Sequence, residues 1–514
     1  VATTLGEIFI AACQRFGDRT ALVGRDGTRT YRQLLDRGSR LANALTGLGL
    51  QPGDHVAALL EDSVTAFEVY VGCAIGGFPI VHVNDRLVAR EIDYILTDSD
   101  AVALVHTDGL TDVVDQLESR SALRSIVTIG DHRSNGAEAY EDLLAAASTT
   151  RVDPCRAPED LAILGYTSGT TGFPKGAMAS HRAVVNCIKL IPFAYRLPLH
   201  GRCAFTGTLS FVSAIWGVII PHLYLGGTVT FLVPYTVESW VDHMIADRST
   251  FTYAPSPLVP GFIEQAKLKP EVLEHLESVL HSASPLPPSQ ARDLVDVIGE
   301  RYVEVWGMTE TVAPLTVTAR EDWRGPTAAD DIFASVGRAL PTASVRVVDG
   351  AGNTVAPGET GELAVRADTM FSGYYGKEEL TAEVLRDGEY FTGDVGRIDD
   401  AGYIYITDRA KDMIISGGMN VYPVEVEAAL VGISGVEQVA VIGTPSERWG
   451  EAVTAIVVRS DGSDLDADGL IAASRSQLAS YKKPTRVEFV DELPRNAGMK
   501  VQKHILREQF GVGE

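Results

Sequence analysis

Residues 31–83 read YRQLLDRGSRLANALTGLGLQPGDHVAALLEDSVTAFEVYVGCAIGGFPIVHV, and the hydrophobic period changes repeatedly along them. Leu34, Leu41, Leu45 and Leu48 recur at helical spacing, and Gly49 is placed to end that helix. Pro52-Gly53-Asp54 then turns the chain into an apolar strand over residues 56–60. A second helical pattern covers 63–74 and a second strand 78–83; a helix around 92–96 and a strand over 102–106 repeat the unit. Strand–helix–strand units of this size predict a parallel, doubly wound α/β sheet.

Working outward, the pattern changes between about 335 and 365 to short strands punctuated by Pro341, Gly350, Gly352 and Pro357-Gly358, which predicts a small β-barrel or antiparallel sheet. Beyond Arg409 a helix over 424–430 and strands over 436–442 and 453–458 predict a separate small α/β domain. The whole chain is 514 residues, 45% hydrophobic and 22% charged, which suits a soluble globular protein of two or more domains. The longest apolar stretch, 211–225, is interrupted by Ser213, Gly217, Pro221 and His222, so no integral membrane segment is expected. The first residues alternate at helical spacing without the basic segment that opens a signal peptide. Five cysteines at scattered positions, with no CxxC pair, predict free thiols and a cytoplasmic location. A formal net charge of −24 opposes nucleic-acid binding, and an anionic ligand would need local cations to overcome it.

The strongest chemical signal is Tyr166-Thr167-Ser168-Gly169-Thr170-Thr171-Gly172-Phe173-Pro174-Lys175-Gly176, preceded by an apolar strand over 161–164. Glycines let backbone approach an anion, hydroxyls donate to it, and Lys175 brings charge, as a loop around a polyphosphate requires. The spacing does not fit GxxxxGK[ST]. A plain Ser/Thr/Gly surface loop is the bland alternative. Trp306-Gly307-Met308-Thr309-Glu310 follows an apolar strand at 302–305, and its adjacent hydroxyl and carboxylate suit a phosphate oxygen and a magnesium ion. Alone, that segment reads equally as a core Trp beside a helix cap.

The phosphate-type loop resembles that of the ANL superfamily, which contains acyl-CoA synthetases, peptide-synthetase adenylation domains and beetle luciferases. Further motifs match in order along nearly the whole chain: Trp306 to Glu310, Tyr390-Phe391-Thr392-Gly393-Asp394-Val395-Gly396, Thr407-Asp408-Arg409-Ala410-Lys411-Asp412, Ser416-Gly417-Gly418-Met419-Asn420, and Leu493-Pro494-Arg495-Asn496-Ala497-Gly498-Met499-Lys500. The resemblance implies a large N-terminal domain of doubly wound sheets plus a small β-barrel (1–408), a hinge at 409–411 centred on Lys411, and a small mobile C-terminal domain (412–514). It implies that Thr167, Ser168, Gly169, Thr170, Thr171, Gly172 and Lys175 bind ATP, that Trp306 stacks on adenine, and that Thr309 contacts the α-phosphate. By the same resemblance Glu310 binds magnesium, Asp394 and Arg409 hold the ribose, and Lys500 is the catalytic lysine. Two departures stand out: Trp306 replaces the usual Tyr, and Gly-Met-Lys replaces Thr-Gly-Lys, with Lys503 close by as the other candidate.

The implied reaction is AMP-forming ligation of a carboxylic acid to CoA, with ATP, magnesium and CoA as reactants and cofactors. Gly417 and Gly418 would line the pantetheine passage, and Trp449, Tyr481 and Lys482 would contact the nucleotide of CoA. A carrier-protein thiol is the alternative acceptor; the compact run between Gly361 and Asp394 lacks the insertion of fatty acyl-AMP ligases, which favours CoA. Phe211, Val305 and Gly307, with Trp216 nearby, predict an apolar acyl pocket for a hydrophobic acid, although Phe211 reads equally as core packing. A kinase or ATPase would release ADP instead, a luciferase remains within the family, and a non-catalytic nucleotide-binding protein would have no need of Glu310 or Lys500.

Overall fold

The structure is a computed structural model. It describes residues 3–511 except 151–155, 168–173, 284–285, 325–329, 410–411, 417–418, 422, 447–449, 476–477, 479–481 and 496–499, with backbone alone at 330–331, 408–409, 415, 419–420 and 450. By contacts it forms two units, Val1–Ser344 with Arg366–Gly388, and Val345–Val365 with Glu389–Glu514.

In the first unit the expected strand–helix alternation is present, and local chemistry sets its borders. Thr30 caps the helix Tyr31–Gly47: its hydroxyl accepts from the Gln33 amide while the Gln33 side chain accepts from the Thr30 amide. Ser63 caps Val64–Gly76 in the same way from one side. That helix has no exposed residue; its sequence is mostly apolar, and its one charge, Glu68, is buried against Arg29, Arg37 and the Tyr140 hydroxyl.

A seven-stranded sheet runs, in spatial order, Glu138–Ala139, Ser125–Ile129, Ala103–Thr107, Val56–Leu59, Ile80–Val83, Leu161–Thr167 and Lys175–Ser180. All pairs are parallel except the last, where Lys175–Ser180 folds back antiparallel on Leu161–Thr167. A nine-stranded sheet runs Arg338–Ala339, Pro314–Val317, Tyr302–Gly307, Ser278–His281, Phe251–Tyr253, Arg202–Phe205, Thr228–Phe231, Thr20–Gly24 and Gly27–Thr30, parallel through its middle and antiparallel at both edges.

Alternation along the strands assigns the layers. Val56, Ala58, Ile163, Cys203, Val303 and Val305 share one buried cluster with the helices Leu5–Phe16, Tyr31–Gly47, Val64–Gly76 and His181–Ala194. Ala57, Leu59, Val81 and Leu164 face the helix Ala89–Asp98 on the other side of the smaller sheet. Ala204, Val279 and Tyr302 face Val237–Asp247, Val259–Leu268 and Pro288–Ile298. The unit is therefore layered helix, sheet, helix, sheet, helix. In open parallel sheets of this kind the ligand crevice lies beyond the carboxyl ends of the strands.

The second unit carries a five-stranded antiparallel sheet that includes Ala343–Val348, Gly361–Ala367, Glu389–Ile398 and Ile404–Arg409; it is the small barrel expected from the sequence, in half-barrel form. A further five-stranded sheet comprises Met419–Val421, Ile414–Ser416, Gly450–Arg459, Val436–Ser446 and, parallel to its neighbour, Arg486–Phe489. The helices Pro423–Val431 and Ala467–Ser474 cover one face with Val441, Val453 and Ala455, while Lys503–Phe510 covers the other with Ile442 and Ile456. Among the described residues no helix is long and apolar enough to cross a membrane.

Candidate active site

Each described candidate residue of the first unit sits at or just beyond a carboxyl end of these strands, or on the hairpin next to them. The hairpin of Leu161–Thr167 and Lys175–Ser180 pairs Thr167 with Lys175, so the two ends of the segment 168–173 are held side by side. Ser168, Gly169, Thr170, Thr171 and Gly172 themselves lie outside the described residues. Lys175 is 7% exposed, and its Nζ stands 5.3 Å from the centre of the Tyr374 ring. Burial lowers its basicity from the ordinary lysine value, while the nearby Glu310 carboxylate pulls the other way.

Glu310 lies in the short turn Thr309–Thr311 beyond the strand Tyr302–Gly307 and is 8% exposed. The Tyr374 hydroxyl donates to its Oε1 at 2.8 Å, and the Thr167 hydroxyl reaches the same oxygen at 3.4 Å. Its carbonyl accepts from the Phe371 amide at 2.8 Å. Thus Thr167, Lys175, Glu310 and Tyr374 converge from four places in the chain. The turn closes on Val312 at φ 58°, an uncommon conformation for a β-branched residue and one found where structure holds a site in place. Thr309 packs against Gly165: a Cβ at Gly165 would lie 2.9 Å from Thr309 Cγ2 and 3.2 Å from Val212 Cγ1. Glycine there lets the two sheets touch.

Trp306 is buried on the same face of its strand as Glu304, with its amide donating to Thr316 Oγ1 at 3.2 Å. Val305 points the other way, into the core with Trp216 and Val212. Gly307 is exposed at a break in strand register, where a Cβ would meet Ala313 O at 2.9 Å. Below Trp306, Ser256 Oγ lies 2.8 Å from His281 Nε2, His281 Nδ1 lies 2.7 Å from Glu304 Oε2, and the Tyr302 hydroxyl donates to that same oxygen. This buried chain ties three neighbouring strands together.

Phe211 is 38% exposed, so it is not core. The segment before it is held firmly: Leu209 N donates to Asp62 Oδ1 at 2.5 Å, Ser210 Oγ donates to Asp85, and His82 Nε2 lies 2.9 Å from Ser210 O. His82 Nδ1 is 2.8 Å from the Tyr70 hydroxyl. Burial pushes His82 down to about 4, so the neutral ring donates from Nε2 and accepts at Nδ1. Burial also pushes Asp62 up to about 6.

In the second unit Thr392-Gly393-Asp394 forms a bend inside the strand Glu389–Ile398. Thr392 Oγ1 donates to Leu363 O and accepts from Asp394 N, while Gly393, at φ 70°, donates its amide to Glu362. Asp394 is 5% exposed and stands directly opposite Arg409 in the antiparallel pair with Ile404–Arg409. Two residues from separate motifs thereby become neighbours. Lys482 is engaged by Glu425 at 2.5 Å. Lys500 is exposed beside the bridge Arg495↔Val501, and Lys503 is paired with Glu427 at 2.9 Å. Lys411, Gly417, Gly418, Trp449 and Tyr481 lie outside the described residues.

Sequence reasoning missed Tyr374. Its signal was the aromatic pair in Gly373-Tyr374-Tyr375-Gly376, which has no helical or strand period to explain it. It also missed Asp62 and His82, whose contacts join strands more than a hundred residues apart.

Residues 9–375 match the family described as AMP-binding enzyme, and residues 425–500 match the AMP-binding enzyme C-terminal domain. A feruloyl-CoA synthase of Amycolatopsis sp is 36% identical over 97% of each chain. The fatty acid–[acyl-carrier-protein] ligase ScoC of Streptomyces coeruleorubidus is 32% identical over 94% of this chain and 92% of its own. Among solved structures, ATP-bound MatB from Rhodopseudomonas palustris superposes with a TM-score of 0.88 at 31% identity, covering 99% of both chains. The motifs, the layered fold and these matches agree: the chain belongs to the AMP-binding enzyme family.

Proposed function

We propose that this enzyme joins a hydrophobic carboxylic acid to CoA in two steps, releasing AMP and pyrophosphate. The observation that carries the reading is the buried set Lys175, Tyr374, Glu310 and Thr167 at the carboxyl end of the strand Leu161–Thr167. A lysine and a carboxylate sequestered together in a chain of net charge −24 are what a magnesium-bound polyphosphate asks for.

In the first step an oxygen of the substrate carboxylate attacks the α-phosphorus of ATP and the bond to the β-phosphate breaks. The carboxylate is a nucleophile at neutral pH, so no base is needed, and the protein's work is positioning and charge stabilisation. Lys175 is assigned to the β- and γ-phosphates, Thr309 to the α-phosphate, Trp306 to the purine, and Asp394 and Arg409 to the ribose. Glu310 suits magnesium, which takes few protein carboxylates and completes its shell with phosphate oxygens and water. Bound there, the ion would offset negative charge on the phosphates. Lys500 is assigned the charge at the α-phosphate during this step, and Lys411 the role of hinge between the two steps. In the second step the CoA sulfur attacks the acyl carbonyl, AMP leaves, and the thiol proton passes to solvent. Gly417, Gly418, Trp449, Tyr481 and Lys482 are assigned to CoA.

Phe211, with Gly307, lines the acyl side, which favours an acid without a second charge, while Val305, expected there from the sequence, belongs to the core behind it. Similarity to a feruloyl-CoA synthase over 97% of the chain supports CoA as acceptor. Similarity to ScoC supports the second reading, transfer to the thiol of a carrier protein. A panel of carboxylic acids assayed for pyrophosphate release, with and without CoA, followed by mass detection of the thioester, tests both. Acid-dependent release of ADP and phosphate instead of AMP and pyrophosphate would refute adenylation.

A further inference from the structure

Asp98 occupies an unfavourable place for a carboxylate. It is the last residue of the helix Ala89–Asp98, where unsatisfied carbonyls concentrate partial negative charge. Its side chain is only 14% exposed, and among the described residues three side chains reach its carboxylate. Tyr166, in the final turns of the strand that enters the phosphate loop, donates its hydroxyl to Asp98 Oδ2 at 2.8 Å. Lys377 Nζ reaches Asp98 Oδ1 at 2.6 Å. The Tyr94 hydroxyl, one helical turn earlier, lies 3.1 Å from Asp98 Oδ1 and 3.1 Å from the carbonyl of Pro174, the residue at which the loop returns.

One stem is therefore tied to the carboxylate directly, through Tyr166, while the Tyr94 hydroxyl, with one hydrogen shared between Asp98 Oδ1 and the Pro174 carbonyl, stands between the carboxylate and the other. Lys377 extends the tie. It ends the segment 371–377, which crosses the strand Lys175–Ser180: Met178 N donates to Gly373 O at 3.0 Å and Tyr375 N to Gly176 O at 2.9 Å. The other end of this strap holds Glu310, through the Phe371 amide and the Tyr374 hydroxyl. A closed frame results: Asp98 to the loop stems, Asp98 to Lys377, the strap to Glu310, and Glu310 to Thr167 back at the loop.

We infer that Asp98 is a positioning residue for adenylation, setting the hairpin stems at Tyr166 and Pro174 and the Glu310 carboxylate at a fixed separation through Tyr166, Tyr94 and Lys377. The inference rests on the adenylating reading given above. A misplacement of about 1 Å at a reacting centre costs on the order of a hundredfold in rate, so a frame that fixes this separation has leverage far beyond its own bonds. The pair has a second effect: Asp98 offsets a cation that would otherwise add to the field around Lys175, whose amine already feels Lys377.

The test uses the full chain and two assays, exchange of labelled pyrophosphate into ATP and thioester formation from supplied acyl-AMP plus CoA. Only the first needs a positioned triphosphate. Asp98→Asn keeps the volume and removes the charge; it is expected to raise KM for ATP and lower the exchange rate by about tenfold or more together, while thioester formation stays within about twofold. Tyr166→Phe and Lys377→Met each break one tie and serve if Asp98→Asn does not fold; about three- to tenfold losses of exchange are expected, again with the acyl-AMP assay spared. Combined with Asp98→Asn, either should add less than its separate effect, because the ties share one carboxylate. Folded variants with KM for ATP within about twofold of wild type, or with equal losses in both assays, overturn the positioning role. Wild-type protein that performs no pyrophosphate exchange with any acid overturns the adenylating reading itself, and this inference with it.

Discussion

Tyr374→Phe removes one oxygen and nothing else. The ring keeps its edge contact with Phe371, 5.1 Å between centres, and its place 5.3 Å from Lys175 Nζ. What is lost is the 2.8 Å hydrogen bond to Glu310 Oε1, leaving a carboxylate that is 8% exposed with Thr167, at 3.4 Å, as its remaining hydroxyl donor among the described residues. A hydrogen bond to a charged group contributes about 1.5–3 kcal/mol, and breaking it in a buried site exposes the cost of desolvating the carboxylate. If that energy orients Glu310 for magnesium-bound ATP, its loss slows adenylation by about ten- to a hundredfold, since about 1.4 kcal/mol is a factor of ten. The assay is pyrophosphate exchange at graded magnesium concentrations, with urea unfolding measured alongside. The variant should need more magnesium for half-maximal exchange, and the supplied acyl-AMP should still be converted to thioester at close to the wild-type rate. Exchange unchanged at every magnesium concentration would refute the role given to the Tyr374–Glu310 bond.

Gly165→Ala should slow adenylation, because its Cβ would meet Thr309 Cγ2 at 2.9 Å and turn that side chain away; Thr309→Ser in the same chain removes the methyl, keeps the hydroxyl and should restore exchange. Lys500→Ala should abolish exchange yet leave thioester formation from acyl-AMP, whereas Lys503→Ala should cost stability, through Glu427, more than exchange. For pH, the signs differ between two neighbours of Ser210. His82, held at about 4 against an ordinary 6.5, withdraws stability as pH falls through that window, by up to about 1.4 kcal/mol per pH unit. Asp62, raised from 3.8 to about 6, is more stable protonated in the fold and so adds stability as pH falls over nearly the same range. Urea unfolding between pH 4 and 6.5 should therefore show His82→Gln gaining stability on acidification relative to wild type, and Asp62→Asn losing it.

How far the sequence carried depends on how local each cause is. The helix Tyr31–Gly47 and the strand Val56–Leu59 were legible because period, cap and turn lie within a few residues of each other. The docking of the N-terminal hairpin was not: Thr20–Gly24 pairs with Thr228–Phe231, two hundred residues on, and nothing in either strand names the other. The same holds for the site. Lys175 and Glu310 announced themselves through residue types a phosphate requires. Tyr374 and Asp98 did not, because each acts by holding a residue from another part of the chain, and that relation exists only once the sheets have formed. Phe211 shows a third case, in which the residue was visible and only its exposure settled whether it packs in the core.

The layering also explains how one scaffold can change its acid without losing its chemistry. The seven-stranded sheet supplies the phosphate hairpin, with Tyr166, Thr167 and Lys175 on adjoining strands. The nine-stranded sheet supplies the loops after Arg202–Phe205 and Tyr302–Gly307, where Phe211 and Trp306 to Glu310 sit. The sheets meet where Thr309 rests on Gly165, a contact too tight to admit even a methyl group. If Phe211 lines the acyl side as proposed, substitutions around it are free to reshape that side, because the segment is anchored separately by Asp62, His82 and Asp85. Substitutions at Gly165 or Thr309 are not, since they shift the two halves of the site against each other. Specificity should therefore vary in the segment after the strand Arg202–Phe205 and rate at the seam between the sheets, and a variant of Phe211 that altered KM for ATP as much as KM for the acid would show the two halves to be coupled after all.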